Sequence, residues 1–140
     1  MRSYTKHFLP LIAALLPGTA LAAAPSRFDG NWATTVSCSS IRDALGYNFH
    51  FMSTVTNGVL HAVYGAPGQP VSLQIDGTIG PDGRSRLLAQ GRTGSREYVP
   101  GRDTPRGTPY SYFIDAQFNG SAGSGSRVEG RPCTIEFTRE

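Results

Sequence analysis

Short runs of alternating apolar and polar residues, separated by Gly, Pro and Asn, make up the chain from position 23 onwards. No segment there keeps the 3.6-residue period of an amphipathic helix. Alternation with a period of two is typical of strands that bury one face, and closely spaced turn residues are typical of all-β domains. The pattern therefore predicts an all-β fold of about seven or eight antiparallel strands.

The clearest predicted hairpin surrounds Asn57-Gly58. Both residues tolerate the positive φ that a two-residue hairpin turn requires. If Thr56 pairs with Val59 across this turn, the other pairs follow as Val55–Leu60, Ser53–Ala62 and Phe51–Tyr64. The same register places His50 and His61 about 13 Å apart on the outer face, too far apart to share a metal ion.

The remaining strands are predicted from alternation alone. With the hairpin strands, they span residues 31–38, 47–56, 59–64, 71–79, 84–93 and 110–118, before one or two final strands that end in Cys133, Ile135 and Phe137. In the fourth strand, Val71 is expected to point inward and Ser72 outward. The Gly- and Ser-rich residues 119–125 are interpreted as a turn, and residues 94–109 as a long loop.

Mostly short connections between sequential strands favour an antiparallel meander. A meander of about eight strands can close into a barrel whose interior holds either packed side chains or one small ligand. We therefore predict a single meander barrel, with a β-sandwich as the alternative.

The first 22 residues have the layout of a secretory signal peptide. Arg2 and Lys6 precede an apolar stretch at residues 8–16, and Ala20-Leu21-Ala22 fits an A-x-A cleavage site. A bilayer requires about 20 apolar residues, so the stretch is too short to span one, although an uncleaved anchor is the alternative. We expect residues 1–22 to be removed, residues 23–140 to form one domain, and the protein to be periplasmic or secreted without membrane insertion.

Signal cleavage nearly neutralises the net charge. The whole chain carries +3, and loss of Arg2 and Lys6 leaves eleven arginines against ten carboxylates. This balance gives no indication of nucleic-acid binding. The expected partner is instead an unknown protein or a small anionic or hydrophobic ligand.

The chain has two cysteines, Cys38 and Cys133. An exported protein reaches an oxidising compartment, so the two are predicted to form a disulfide that joins the first strand to the last. Closing so long a loop contributes about 4–5 kcal/mol of stability in the chain-entropy treatment. Two free thiols are the alternative. A metal site is disfavoured because neither His50 nor His61 lies near either cysteine in the sequence.

The sequence contains no recognisable catalytic constellation. The segment at residues 120–125 does not match a G-x-S-x-G nucleophile elbow, and no helix follows it. A phosphate-binding loop would require a lysine and a following helix, and both are missing. We therefore predict a protein that is not an enzyme and that carries no cofactor or metal.

The strongest candidate binding segment is the long loop and its flanks. Its candidate residues are Arg92, Arg96, Tyr98, Arg102 and Arg106. Guanidinium groups bind anions through charge-assisted hydrogen bonds, and an exposed tyrosine can anchor a partner. The alternative is a solvated loop whose arginines pair with Glu97 and Asp103.

The first strand opens with Gly30-Asn31-Trp32, a G-x-W sequence. It resembles the first strand of calycin-type barrels, the lipocalins and avidins. The resemblance implies that Trp32 closes the barrel floor and that an arginine from a late strand packs across it, the candidates being Arg127, Arg131 and Arg139.

The chain from position 23 onwards is also similar to a group of uncharacterised exported bacterial proteins. The similarity is carried by Trp32, Cys38, Asn57-Gly58, Tyr110-Ser111-Tyr112 and Arg131-Pro132-Cys133. It implies export and supplies no function. The prediction is accordingly a non-enzymatic exported binding module that uses the arginine-rich loop or an open barrel mouth. The alternatives are a periplasmic inhibitor of a lysozyme or protease and a carrier of a small hydrophobic ligand.

Overall fold

The computed structural model of the chain describes Gly18 and residues 24–140, so the predicted signal peptide lies almost entirely outside the described residues. Its eight strands are β1 (Gly30–Cys38), β2 (Tyr47–Thr56), β3 (Val59–Tyr64), β4 (Ser72–Thr78), β5 (Arg84–Arg92), β6 (Pro109–Phe118), β7 (Ala122–Arg127) and β8 (Cys133–Arg139). Each strand pairs with the next, and β8 pairs with β1. The fold is therefore the predicted closed antiparallel meander barrel and not a sandwich.

The two ends of the barrel differ in how they are built. We call the end that contains Cys38 the mouth; its connections are residues 39–46, 65–71, 93–108 and 128–132. The opposite end, the floor, has the shorter turns and the segment that precedes β1. A 3-10 turn, Arg96–Tyr98, interrupts the long mouth loop at residues 93–108. Within the described residues, no helix has the length and apolar character needed to cross a bilayer.

The predicted hairpin register is confirmed where β2 and β3 pair. Thr56 pairs with Val59, Val55 with Leu60 and Ser53 with Ala62. Asn57 and Gly58 have φ values of 51° and 77°, so both turn residues adopt the left-handed conformation expected of them. Local turn chemistry therefore fixes which side chains of this hairpin point inward.

Large apolar side chains fill the floor. Trp32 is fully buried and its indole Nε1 donates a 2.9 Å hydrogen bond to the carbonyl oxygen of Phe28. The Phe118 ring meets Trp32 edge-on at 5.4 Å and lies 4.7 Å from Phe137, measured between ring centroids. The guanidinium carbon of Arg139 lies 4.9 Å from the centroid of Trp32. Of the three candidate arginines, Arg139 is the one that packs across the tryptophan.

The interpretation of residues 119–125 as a turn holds for residues 119–121 and is wrong for residues 122–125, because β7 begins at Ala122. Gly123 and Gly125 point into the barrel. A Cβ at Gly123 would lie 2.7 Å from the Phe118 ring, and one at Gly125 would lie 2.8 Å from Ile114. These glycines allow the wall to approach large core side chains closely.

The predicted start of the fourth strand also requires correction. Val71 precedes β4 with a φ of 59° and is only half-buried, so it does not continue the inward alternation. Ser72 is 5% exposed although it lies on the outward side. Its hydroxyl donates a 2.7 Å hydrogen bond to the carbonyl oxygen of Gln69, which places the preceding loop over it.

The predicted disulfide joins Cys38 and Cys133, which are direct partners across β1 and β8. It crosses the seam where the last strand closes on the first, at the mouth end of both strands. Both cysteines are buried in the core.

Candidate functional site

One buried arginine organises the mouth. Arg131 is 8% exposed and donates hydrogen bonds to three loop carbonyl oxygens: from Nε to Ser39 at 2.7 Å, from Nη1 to Tyr98 at 2.7 Å, and from Nη2 to Leu45. Its guanidinium also lies 5.0 Å from the centroid of Tyr47. Because these acceptors belong to two different loops, Arg131 fastens the long loop to the β1–β2 loop.

Further contacts hold the long loop in place. The backbone N–H of Leu45 donates to the carbonyl oxygen of Glu97 at 2.8 Å. Arg102 donates from Nη2 to the carbonyl oxygen of Asp43 at 2.9 Å, and the N–H of Gly101 donates to the Asp43 carboxylate at 3.1 Å. That backbone hydrogen bond, together with the nearby Arg102 charge, lowers the pKa of Asp43. The loop is therefore anchored at several points along its length.

Aromatic side chains line the inner face at the mouth. Phe49 stacks on Tyr64 with ring centroids 4.2 Å apart, and Tyr47 lies 4.9 Å from Phe49. On the other side, Tyr110 and Tyr112 are parallel within 2° at 6.2 Å. Unlike the floor residues, most of these rings are only half-buried. The mouth therefore presents aromatic faces that the protein itself does not fully cover.

A cavity of about 410 Å³ lies between these rings and the long loop, and we call it the mouth cavity. It is lined by side chains and backbone from β2, from the end of β5, from the long loop and from the start of β6. Its lining residues include Tyr47, Phe49, Val71, Arg92, Tyr98 and Tyr110. The cavity lining combines aromatic side chains with a few polar groups, as is usual for small-molecule sites.

Three of the mouth tyrosines, Tyr47, Tyr110 and Tyr112, remain protonated at neutral pH. Burial raises the pKa of the hydroxyls of Tyr47, Tyr110 and Tyr112, and the nearby Arg127 charge only partly opposes it. Arg127 lies on the inward face at the end of β7, with its guanidinium carbon 4.3 Å from the centroid of Tyr112. The tyrosines can therefore donate hydrogen bonds but do not supply negative charge.

The five predicted binding residues do not form one site in the structure. Arg92 and Tyr98 both line the mouth cavity, and Arg92 also donates from Nη1 to the carbonyl oxygen of Gly107 at 3.0 Å. Arg102 instead holds the loop to Asp43, as above. Arg96 and Arg106 are exposed on the loop and do not line the cavity.

Sequence reasoning did not single out Tyr47, Phe49, Tyr110, Arg127 or Arg131 as site residues. The alternation of apolar and polar residues in β2 and β6 is consistent with three inward rings, but the same alternation applies to core residues nearer the floor. Their position at the strand ends next to the long loop is the signal that distinguishes them. For Arg131 no local signal existed, because its acceptors lie 33 to 92 positions away in the sequence.

Outside the mouth, the described residues provide weaker candidates for a binding site. Two larger depressions, of about 530 and 860 Å³, lie along the outer wall, where Gln74 and Gln90 border one and Arg86 and Asp115 the other. His61 pairs with Asp76, with Nδ1 and Oδ1 2.5 Å apart. No group of three or more metal-ligating side chains occurs in the described part of the chain.

Comparison with protein-family models, with curated proteins and with solved structures found no match to this chain.

Proposed function

We propose that this protein is a non-enzymatic binding module, exported from the cytoplasm, that holds a small planar ligand in its mouth cavity. The observation that carries the proposal is the set of half-buried aromatic rings around a cavity of about 410 Å³. This volume falls within the range of about 300–1,000 Å³ that is usual for small-molecule sites. Stacked rings favour flat ligands because aromatic faces attract one another when offset or edge-on.

The proposed site is also prepared in advance of binding. Arg131 and Asp43 fix the long loop beside the cavity, so little conformational freedom is lost when a ligand enters. Preorganisation of this kind improves affinity by lowering the entropy lost on binding. The arginine-rich loop therefore serves mainly as one wall of the cavity, through Arg92 and Tyr98.

Export is part of the same proposal. The Cys38–Cys133 disulfide supports it, because structural disulfides persist mainly in oxidising compartments. The signal-like layout of residues 1–22 supports it independently. Fractionation of cells that express the whole chain is the direct test: recovery of the protein in the cytoplasm with its N-terminal segment uncleaved would contradict export.

Binding is tested with N-phenyl-1-naphthylamine, a neutral aromatic probe with two flat ring systems, whose fluorescence rises in apolar sites. We expect saturable binding to the disulfide-bonded protein, weakened about tenfold by Phe49→Ala, which removes a ring worth ~1.4 kcal/mol to the ligand. Met52→Ala is the matched control, because Met52 lies on the same strand but faces outward and is 50% exposed. Equal losses in the two variants would overturn the mouth as the site, and the absence of saturable binding both of this probe and of an anionic probe with the same rings would overturn the binding function.

Inhibition of a hydrolase is the second candidate function. It is favoured by the anchored loop, which presents Tyr98, 38% exposed, and the exposed Arg106 on a rigid backbone. An inhibitor would block a lysozyme or a serine protease at stoichiometric concentration, and Tyr98→Ala with Arg106→Glu would abolish the effect. Full hydrolase activity in the presence of excess protein would eliminate this candidate.

A further inference from the structure

Charge is distributed unequally between the two ends of the described barrel. The mouth loops and strand ends carry seven arginines (Arg42, Arg92, Arg96, Arg102, Arg106, Arg127 and Arg131) and four carboxylates (Asp43, Glu97, Asp103 and Glu129). The floor and outer wall carry four arginines (Arg27, Arg84, Arg86 and Arg139) and six carboxylates (Asp29, Asp76, Asp82, Asp115, Glu136 and Glu140). A nearly neutral domain therefore has a mouth of net +3 and a remainder of net −2.

The positive charge nearest the mouth cavity is not compensated by carboxylates. Arg92 lines the cavity, Arg131 lies against Tyr47, and Arg127 lies against Tyr112. The ion pairs found in residues 24–140 involve other side chains: His61–Asp76, Arg84–Asp82, Arg86–Asp115 and Arg102–Asp43. Neither Arg92 nor the two arginines beside the mouth tyrosines thus forms an ion pair with a carboxylate of the described residues.

The three arginines differ in what they offer a ligand. All three guanidinium nitrogens of Arg131 donate to loop carbonyl oxygens and the side chain is 8% exposed, so its main contribution to a ligand is charge. Arg127 gives its Nε to the carbonyl oxygen of Glu129 at 2.6 Å, and Arg92 gives Nη1 to that of Gly107. Both retain further N–H donors, those of Arg92 at the cavity wall and those of Arg127 beside Tyr112.

We propose that the mouth selects planar ligands that carry an anionic group, such as an aryl carboxylate or sulfonate. The aromatic rings take the flat part of the ligand, while Arg92 and Arg127 face its negative group and the tyrosine hydroxyls supply neutral donors. This inference rests on the proposed binding function, since it specifies the ligand of the same cavity. It excludes the neutral hydrophobic ligand as the preferred class.

Two fluorescent probes that share one ring frame test the inference. They are 1-anilinonaphthalene-8-sulfonate, which is anionic, and N-phenyl-1-naphthylamine, which lacks the sulfonate. On the disulfide-bonded protein, we expect Arg92→Gln and Arg127→Gln each to weaken binding of the sulfonate about tenfold more than binding of the neutral probe. Arg84→Gln is the matched control, because Arg84 is exposed at the floor, and it should change neither affinity.

A salt titration of the unmodified protein provides an independent measurement should a variant fail to fold. Raising the salt concentration from 0.01 to 1 M shortens the Debye length from about 30 to about 3 Å, so the affinity for the sulfonate should fall while that for the neutral probe should not. Equal losses for both probes in the arginine variants, or a salt-independent sulfonate affinity, would overturn the anionic preference and leave the binding function intact. Binding of neither probe would remove both proposals.

Discussion

Trp32 and Arg139 meet at the floor, where a cation lies over the face of a fully buried indole. Such contacts contribute roughly 0.5–2 kcal/mol, more when the cation is shielded from water. Arg139 also donates from Nη2 to the carbonyl oxygen of Arg27 at 2.6 Å, which holds the segment before β1 against the barrel. Its Nε is buried without a partner among the described residues, so the ring contact is an important part of what the side chain gains there.

Arg139→Ala should therefore lower the free energy of unfolding by about 1–2 kcal/mol, through loss of the ring contact and one hydrogen bond. Because Trp32 is the only tryptophan, its fluorescence reports both the urea-induced unfolding and the loss of the Arg139 contact with its ring. Arg84→Ala is the control. The Arg84 side chain is 83% exposed, and its ion pair with Asp82 is long, at 3.8 Å, so its removal should change the free energy of unfolding by less than about 0.5 kcal/mol. Similar losses in the two variants would contradict the role assigned to Arg139.

Asp29 joins the segment before β1 to the β2–β3 turn. Its carboxylate accepts hydrogen bonds from the backbone N–H groups of Gly58 at 2.9 Å and Asn57 at 3.0 Å. These bonds, led by that from Gly58, lower its pKa below the ordinary value of 3.8. The charged form is therefore the one that stabilises the fold, and its contribution is complete above the pKa of the unfolded chain.

That contribution should disappear as the pH falls through the lowered pKa of Asp29. At neutral pH, Asp29→Asn should melt at a lower temperature than the unmodified protein, and the difference should shrink as the pH falls below about 3.8. Melting curves recorded between pH 2 and pH 7 measure this difference in melting temperature. Glu136→Gln, at an exposed position on β8, serves as the control. A difference that stayed constant down to pH 2 would show that the hydrogen bonds to Asp29 do not depend on its charge.

At the scale of the element, β7 shows why glycine in a strand can be required by its neighbours. The strand is AGSGSR, with Gly123 and Gly125 on its inner face. Phe118 lies directly opposite Gly123 and is held among Phe28, Trp32 and Phe137. A larger residue in β7 would have to displace a ring that has no free space to enter.

Gly123→Ala should accordingly destabilise the barrel by about 1–3 kcal/mol, the usual result of overpacking a core. Gly120→Ala, in the turn before the same strand, is the matched control because a Cβ there meets nothing within 4 Å. The free energies of unfolding of both variants can be measured in urea. If the two substitutions had equal effects, the loss at Gly123 would reflect backbone conformation instead of close packing.

The same comparison explains which elements the sequence could predict. The bounds of β2 and β3 match the prediction because Asn57-Gly58 sets the turn and the register within a dozen residues. β7 was interpreted as a turn because its composition, rich in Gly and Ser, is that of a flexible segment. The packing against Phe118 that makes glycine necessary there is a contact between strands, and composition carries no information about it.

At the scale of the whole molecule, closure could be predicted and the mouth cavity could not. Sequential hairpins and two cysteines at the first and last strands favour a closed meander, although they leave a β-sandwich as the alternative. The cavity depends on where the long loop lies, and that is decided by the contacts of Arg131 and Asp43 with distant backbone groups. The charge difference between the two ends likewise becomes visible only once the strand order assigns each loop to an end.

The Cys38–Cys133 disulfide connects barrel closure to the geometry of the mouth. The neighbours of both cysteines hold the loops: Ser39 donates its N–H to the carbonyl oxygen of Pro132 at 3.1 Å, and Arg131 donates to that of Ser39. Loss of the disulfide should therefore loosen the mouth first. The floor is held separately by its aromatic cluster and by the pairing of β1 with β8 from Trp32 onwards.

Replacing both cysteines by serine should lower the free energy of unfolding by about 4–5 kcal/mol in the chain-entropy treatment, since the bridge spans 95 positions. Under native conditions, hydrogen exchange should speed up at residues 39–46 and 96–101, and the emission of Trp32 at the floor should stay unchanged. Reduction of the unmodified protein with dithiothreitol should reproduce both results. Because these loops border the mouth cavity, binding of the fluorescent probes should weaken as the loops lose their protection from hydrogen exchange. A change in Trp32 emission without loss of mouth protection would show that the disulfide stabilises the floor instead.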